Sequence, residues 1–111
     1  MEENSPRFSF VENGNEKRIV VSGELSYYHL GAFRDALRYY LDREQCPLNF
    51  ILDLHQCDFV DSGCLGMIAE FKKEVDRRGC SLRIENVSPH VSEAMRRIRL
   101  HTIIDISGMK E

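Results

Sequence analysis

Asn49-Phe50-Ile51-Leu52-Asp53-Leu54, followed after a short gap by Phe59-Val60-Asp61-Ser62-Gly63-Cys64-Leu65-Gly66, decides the fold. The first six residues are nearly all apolar. A run this short reads as a strand covered on both faces, near the centre of a sheet. Beyond Gly66 the period changes: Cys64, Ile68, Phe71 and Val75 share one helical face, while Lys72, Lys73, Asp76 and Arg77 stay solvated. This helix runs to about Arg78, and Gly79 stands where a left-handed cap belongs. A central strand therefore delivers the loop Asp58–Gly66 to a helix start. Open parallel sheets place their ligand sites at such carboxyl ends.

Upstream, Arg7-Phe8-Ser9-Phe10-Val11 alternates as a half-buried strand. Asn13-Gly14 marks a tight turn into a second strand, Arg18–Gly23, so the two form a hairpin. From about Tyr28 to Arg43, Leu30, Phe33, Leu37 and Tyr40 or Leu41 fall at helical spacing, with Ser26 as the expected cap and Pro47 barring continuation. Downstream, Cys80–Glu85 alternates strictly. Ser88-Pro89 then opens a third helix, with Val91, Met95 and Ile98 as its inner stripe. Ile103–Ile106 is a last short strand or extended segment. Residues 1–6 and 107–111 read as flexible tails, leaving 7–106 as a single domain. The fold class is α/β: the N-terminal hairpin plus parallel strands joined by right-handed crossovers form a mixed sheet packed by helices.

The 111 residues bury roughly 65% of their unfolded surface in one core. No apolar run approaches the roughly 18 residues of a membrane span. Met1–Pro6 is polar and acidic, unlike a secretory leader. A cytoplasmic protein is expected, with its four cysteines as free thiols in a reducing compartment. The net charge of −3 argues against a nucleic-acid partner. Neither the cysteines nor the scattered histidines are spaced like a metal site, and both phosphate-binding glycine motifs are missing, so no cofactor is expected.

Several residues carry a chemical reading beside a structural one. Asp58 and Asp61 could form a carboxylate pair, but an Asp just before a helix is better read as its cap. Ser62 with His55 seven residues upstream has no recognisable triad signature. Cys64 in a first helical turn could be a reactive thiol, but its place on the Ile68–Phe71 stripe favours a small buried residue. Tyr27-Tyr28-His29 cannot all face inward, so at least one decorates a surface. Arg96, Arg97 and Arg99 complement the dipole at the end of the third helix and are at most a local docking patch. A serine at a helix start, as at Ser62, is well placed to carry a phosphate.

Taken in order, Gly23-Glu-Leu, Phe50-Ile-Leu-Asp-Leu, Phe59-Val-Asp-Ser, Leu65-Gly66, Arg78-Gly79, Ser88-Pro89 and Leu100 with Ile103-Ile104 resemble the STAS domain, the fold of bacterial anti-sigma factor antagonists. The resemblance spans about residues 7–106 and implies a STAS-like sheet packed by about three to four α-helices. It implies a non-enzymatic, cytoplasmic regulator of transcription. Such a protein binds an anti-sigma factor, often a serine kinase with a histidine-kinase-like fold, and is served by a phosphatase. Neither nucleic-acid contact nor direct membrane insertion is implied.

In the family, phosphorylation within Asp-Ser-[Ser/Thr]-Gly-Leu-Gly abolishes binding. Here Asp61 and Ser62 match the first two positions, whereas Gly63 stands at the usual acceptor and Cys64 at the following glycine. Ser62 is then the phosphorylation candidate, or the switch is lost. Ser26 replaces an Asp common after Gly-x-Leu. The partner-binding set implied is Ser26, Tyr28, Asp58, Asp61, Ser62, Gly63, Cys64 and Gly66. Two further readings stand beside it: a non-phosphorylated STAS adaptor subunit of a lipid-transport ABC complex or another signalling assembly, and a thiol enzyme using Cys64.

Overall fold

A computed structural model describes residues 5–109. Strands β1 (Arg7–Asn13) and β2 (Glu16–Leu25) form the expected hairpin. The turn is centred one residue later than expected, on Gly14-Asn15, because Asn13 already pairs with Glu16; Gly14 supplies the positive φ of +63°. Then follow a 3₁₀ turn at Tyr27–His29, α1 (Leu30–Leu41), β3 (Asn49–Val60), α2 (Ser62–Arg77), β4 (Ser81–Glu85), α3 (Pro89–Arg97), a 3₁₀ turn at Leu100–Thr102 and β5 (Asp105–Ile106).

The sheet order is β1-β2-β3-β4-β5; β1 is antiparallel to β2 and all other pairs are parallel. This is the α/β mixed sheet expected, with three α-helices. From β2 to β5 each crossover steps the same way, so right-handed connections put all three helices on one face. The core lies between: Ile19, Leu52 and Ile84 from the sheet meet Phe33, Ile68 and Met95 from the helices.

β3 is central, as its apolar run predicts, but helices cover only one of its faces. Phe50, Leu52 and Leu54 point to them. Ile51, on the opposite face, is sealed in another way. It sits in register between Arg18 and Arg83, and is fully buried. A charged lattice crosses the strands there: Arg18 bonds Asp53 at 2.8 Å and Glu85 at 3.0 Å, and Arg83 bonds Glu85 at 2.8 Å. The aliphatic stems of such arginines cover apolar surface while their heads pair.

Four expectations are corrected. β3 extends to Val60, so Asp58–Val60 is strand; it keeps pairing with β2 through an irregularity around Ser22–Glu24, where Gly23 takes φ +91°. Ile98 is 51% exposed, because Arg99 turns left-handed at φ 59° and ends α3 before the inner stripe reaches it. Residues 107–109 are tied down: Ser107 donates to the Ile84 carbonyl at 2.9 Å, and Met109 is buried and bridges to Ile106. Residues 5–6 precede β1 outside any element, and the remainder of the expected tails, 1–4 and 110–111, lies outside the described residues. Finally, Cys46 and Cys80 are not free thiols. Their Cα atoms are 5.6 Å apart and they form a disulfide, because the turn before β3 and the start of β4 meet at one corner.

Candidate partner-binding surface

The carboxyl ends of β2 and β3 meet the starts of α1 and α2, and Asp61 joins them. Its backbone N–H donates to the Leu25 carbonyl at 2.9 Å, continuing the β2–β3 ladder. Its extended backbone makes it the N-cap of α2, and Oδ1 accepts from the Cys64 N–H at 3.0 Å. Oδ2 accepts from the Tyr27 N–H at 2.6 Å. Asp61 is thus a cap, as expected, and it also fixes the 3₁₀ turn that leads into α1.

Ser26 does not cap α1. The helix begins four residues later, and the Ser26 hydroxyl lies 3.2 Å from His29 Nδ1 instead. The tyrosines that follow stand outward: Tyr27 is 61% and Tyr28 79% exposed, with ring centroids 4.6 Å apart. Aromatic rings held out in this way are the usual anchors of a protein interface. Sequence reading singled out Tyr28; Tyr27 is the residue pinned by Asp61, and Phe59 is a further partly exposed ring on β3. The signal for Phe59 is the Asp58-Phe59 pair just before a cap, where alternation has ceased.

Ser62 and Gly63 open α2 and are exposed, as are Asp58 and Gly66. A Cβ placed on Gly63 would sit 3.5 Å from Asp61 Oδ1, 3.6 Å from Tyr27 Cβ and 3.7 Å from Leu30 Cδ1, all ordinary contacts. One on Gly66 would meet nothing within 4 Å. These glycines keep the first turns of α2 flat beside the tyrosines. Cys64 is different: it is fully buried and its thiol donates to the Ser26 carbonyl at 3.4 Å. Burial first, then the nearby Asp61 carboxylate, pushes this thiol up to about 12. It braces the surface from beneath and offers no thiolate at neutral pH, so the thiol-enzyme reading is set aside.

His55 does not serve Ser62. Its Nδ1 is 3.0 Å from Asp53 Oδ1, within the charged lattice on the open face of the sheet. Burial alone would raise the Asp53 carboxyl, but bonds from Asn86, from the His55 backbone and ring, and from Arg18 outweigh it and hold it below the ordinary range. Every polar partner there is structural. Among the described residues no cluster of His, Cys, Asp and Glu could hold a metal ion, and no helix is long and apolar enough to cross a membrane.

Known proteins are similar to this chain in sequence and in frame. The chain is 28% identical over 91 residues to the anti-sigma F factor antagonist of Paenibacillus polymyxa, covering 82% of this chain and 69% of the relative. It is 27% identical over 100 residues to the anti-sigma-B factor antagonist of Bacillus subtilis, covering 90% and 89%. The crystal structure of an anti-sigma factor antagonist from Mycobacterium paratuberculosis superposes with a TM-score of 0.80 at 16% identity, covering 97% of this chain and 90% of that one. The family model described as Mlab, STAS domain matches residues 8–106. With the hairpin, the three crossovers and the Asp61-capped helix all in place, the chain belongs to the STAS domain family.

Proposed function

We propose that this protein is an anti-sigma factor antagonist, a non-enzymatic, cytoplasmic regulator of transcription that binds an anti-sigma factor and so frees a sigma factor. The observation that carries the reading is the exposed Tyr27–Tyr28 pair locked through Asp61 to the flat, glycine-bearing start of α2. Rigid aromatic anchors beside a flat helical turn lose little entropy on docking. The names of the two relatives, matched over most of their length, support the same reading.

The partner is an anti-sigma factor of the serine-kinase type with a histidine-kinase-like fold, opposed by a phosphatase. Contact runs through Ser26, Tyr28, Asp58, Asp61, Ser62, Gly63 and Gly66, with Cys64 supporting them from below. Ser62 is the residue that takes phosphate. Its hydroxyl lies at the exposed N-terminus of α2, where the dipole favours added negative charge while a surface fitted to a neutral side chain does not.

One observation favours a second reading. Gly63 carries no hydroxyl at the family's acceptor position, which suits a permanently unphosphorylated adaptor of a lipid-transport ABC complex or another signalling assembly. Affinity capture of the native protein, with mass spectrometry of its partners and of the Ser62 peptide, separates the two. A kinase-type anti-sigma factor with phosphate on Ser62 supports the first; transporter subunits with an unmodified peptide support the second. With the kinase-type partner in hand, Ser62→Asp should weaken binding without unfolding. Gly63→Ser should gain a phosphate at position 63, since its backbone is not left-handed and a Cβ fits there.

A further inference from the structure

Away from the tyrosines, α1 and α2 lie side by side over the sheet and leave a groove of about 220 Å³ between them. Leu37, Met67 and Phe71 form its floor; Arg34 and Arg38 stand on the α1 wall, Glu70 and Glu74 on the α2 wall. Both charged rows have a spacing of four residues, one helical turn.

The two rows are not paired with each other. Arg38 pairs with Asp42 along its own helix, Glu70 with Lys73, and Glu74 with Arg77 and Arg78. Arg34 has no ion pair among the described residues. The Arg38 and Glu70 pairs are surface contacts along one helix, which hold a side chain only weakly.

A basic row and an acidic row of equal spacing, on parallel helices flanking an apolar floor, make a surface complementary to itself under a two-fold axis. Rotation about an axis running along the groove lays α1 of one copy parallel on α2 of another and brings each arginine row onto a glutamate row, twice over. This is the geometry of an isologous contact.

We infer that the α1–α2 groove is a homodimer interface, closed by a second copy of this chain. The dimer is reversible and weakened by salt, because its specificity lies in partly exposed charges.

The test uses the full chain and three preparations in sedimentation velocity at low salt over rising concentration: wild type, Arg34→Glu and Glu70→Arg. Wild type should form a dimer that added salt dissociates. Each variant alone now faces like charge across the axis and should self-associate at least about tenfold more weakly. An equimolar mixture of the two variants should recover association, because the position reversed to acid on one copy then meets the position reversed to base on the other, and the unchanged Arg34 and Glu70 meet at the second seam. Thermal melts matching wild type show that both variants fold. A wild type that stays monomeric into the millimolar range overturns the inference. So does a dimer that survives both reversals, or a mixture of folded variants that fails to associate.

Discussion

Asp61 Oδ2 accepts a 2.6 Å hydrogen bond from the Tyr27 N–H, thirty-four residues earlier in the chain, while Oδ1 accepts from Cys64 N–H at 3.0 Å. One carboxylate therefore satisfies two backbone donors belonging to different elements. Replacing it with Ala leaves both without a partner, and the expected loss of stability is about 1–3 kcal/mol. Asp61→Asn keeps a single acceptor oxygen and should fall between. Urea denaturation midpoints in the order wild type, Asn, Ala test this; an Ala variant equal to wild type would show that water replaces the carboxylate without cost.

Cys57 and Cys64 are the two free cysteines, and both are buried. A thiol pushed up to about 12 is almost wholly protonated at neutral pH, and a buried one is also out of reach of reagent. Iodoacetamide should therefore leave the native protein unlabelled and modify both residues once urea unfolds it. Fast labelling of Cys64 in the folded state would revive the reactive-thiol reading.

What was legible in the sequence is what local spacing encodes. The Asn49–Leu54 run placed β3 at the sheet centre, and the Cys64–Val75 stripe placed α2 on the core. Ser88-Pro89 marked the α3 cap, where the Ser88 hydroxyl accepts from Val91 N–H at 3.2 Å. The misses are long-range effects. His55-Gln56-Cys57-Asp58 has no strand signature and is strand because β2 pairs with it. Ser26 has the chemistry of a cap, but Asp61 reaches that turn first. Ile51 looks like a residue under a helix and is instead roofed by arginines from two neighbouring strands. At the candidate surface, Tyr28, Ser62 and Gly63 were readable from composition and resemblance. The inward turn of Cys64 followed from its helical phase, and the pinning of Tyr27 from no local feature.

The Cys46–Cys80 bond closes a loop with a sequence separation of 34. On loop entropy alone, that constraint on the unfolded chain is worth about 3–4 kcal/mol. The same corner also has non-covalent ties: Ser81 N–H donates to the Leu48 carbonyl at 3.0 Å, and Arg78 Nη1 to the Leu41 carbonyl at 3.2 Å. A Cys46→Ser/Cys80→Ser variant should therefore still fold, with a clearly lower denaturation midpoint. Wild type with reductant should match it. Unchanged midpoints under reductant would mean that the bond does not form in solution.

Asp53 ties β2, β3 and the turn after β4 together through Arg18, His55 and Asn86. Its carboxyl is held below the ordinary range in the fold, so the unfolded chain takes up the proton first as pH falls. The stability it contributes is complete above the unfolded value of about 4 and drains away as pH drops through the lower folded value. Asp53→Asn removes this titration. At neutral pH the variant loses a charge-assisted bond to Arg18 and should be less stable by about 1–3 kcal/mol. From about pH 4 down through the lower folded value the two proteins should converge, because wild type progressively loses what the variant never had. Urea midpoints followed from about pH 7 down to about pH 2 give the comparison. Parallel curves across that range would place the acid sensitivity elsewhere, with Glu85 next in line: its carboxyl is lowered chiefly by its bond from Arg83, against burial, and also by Arg18.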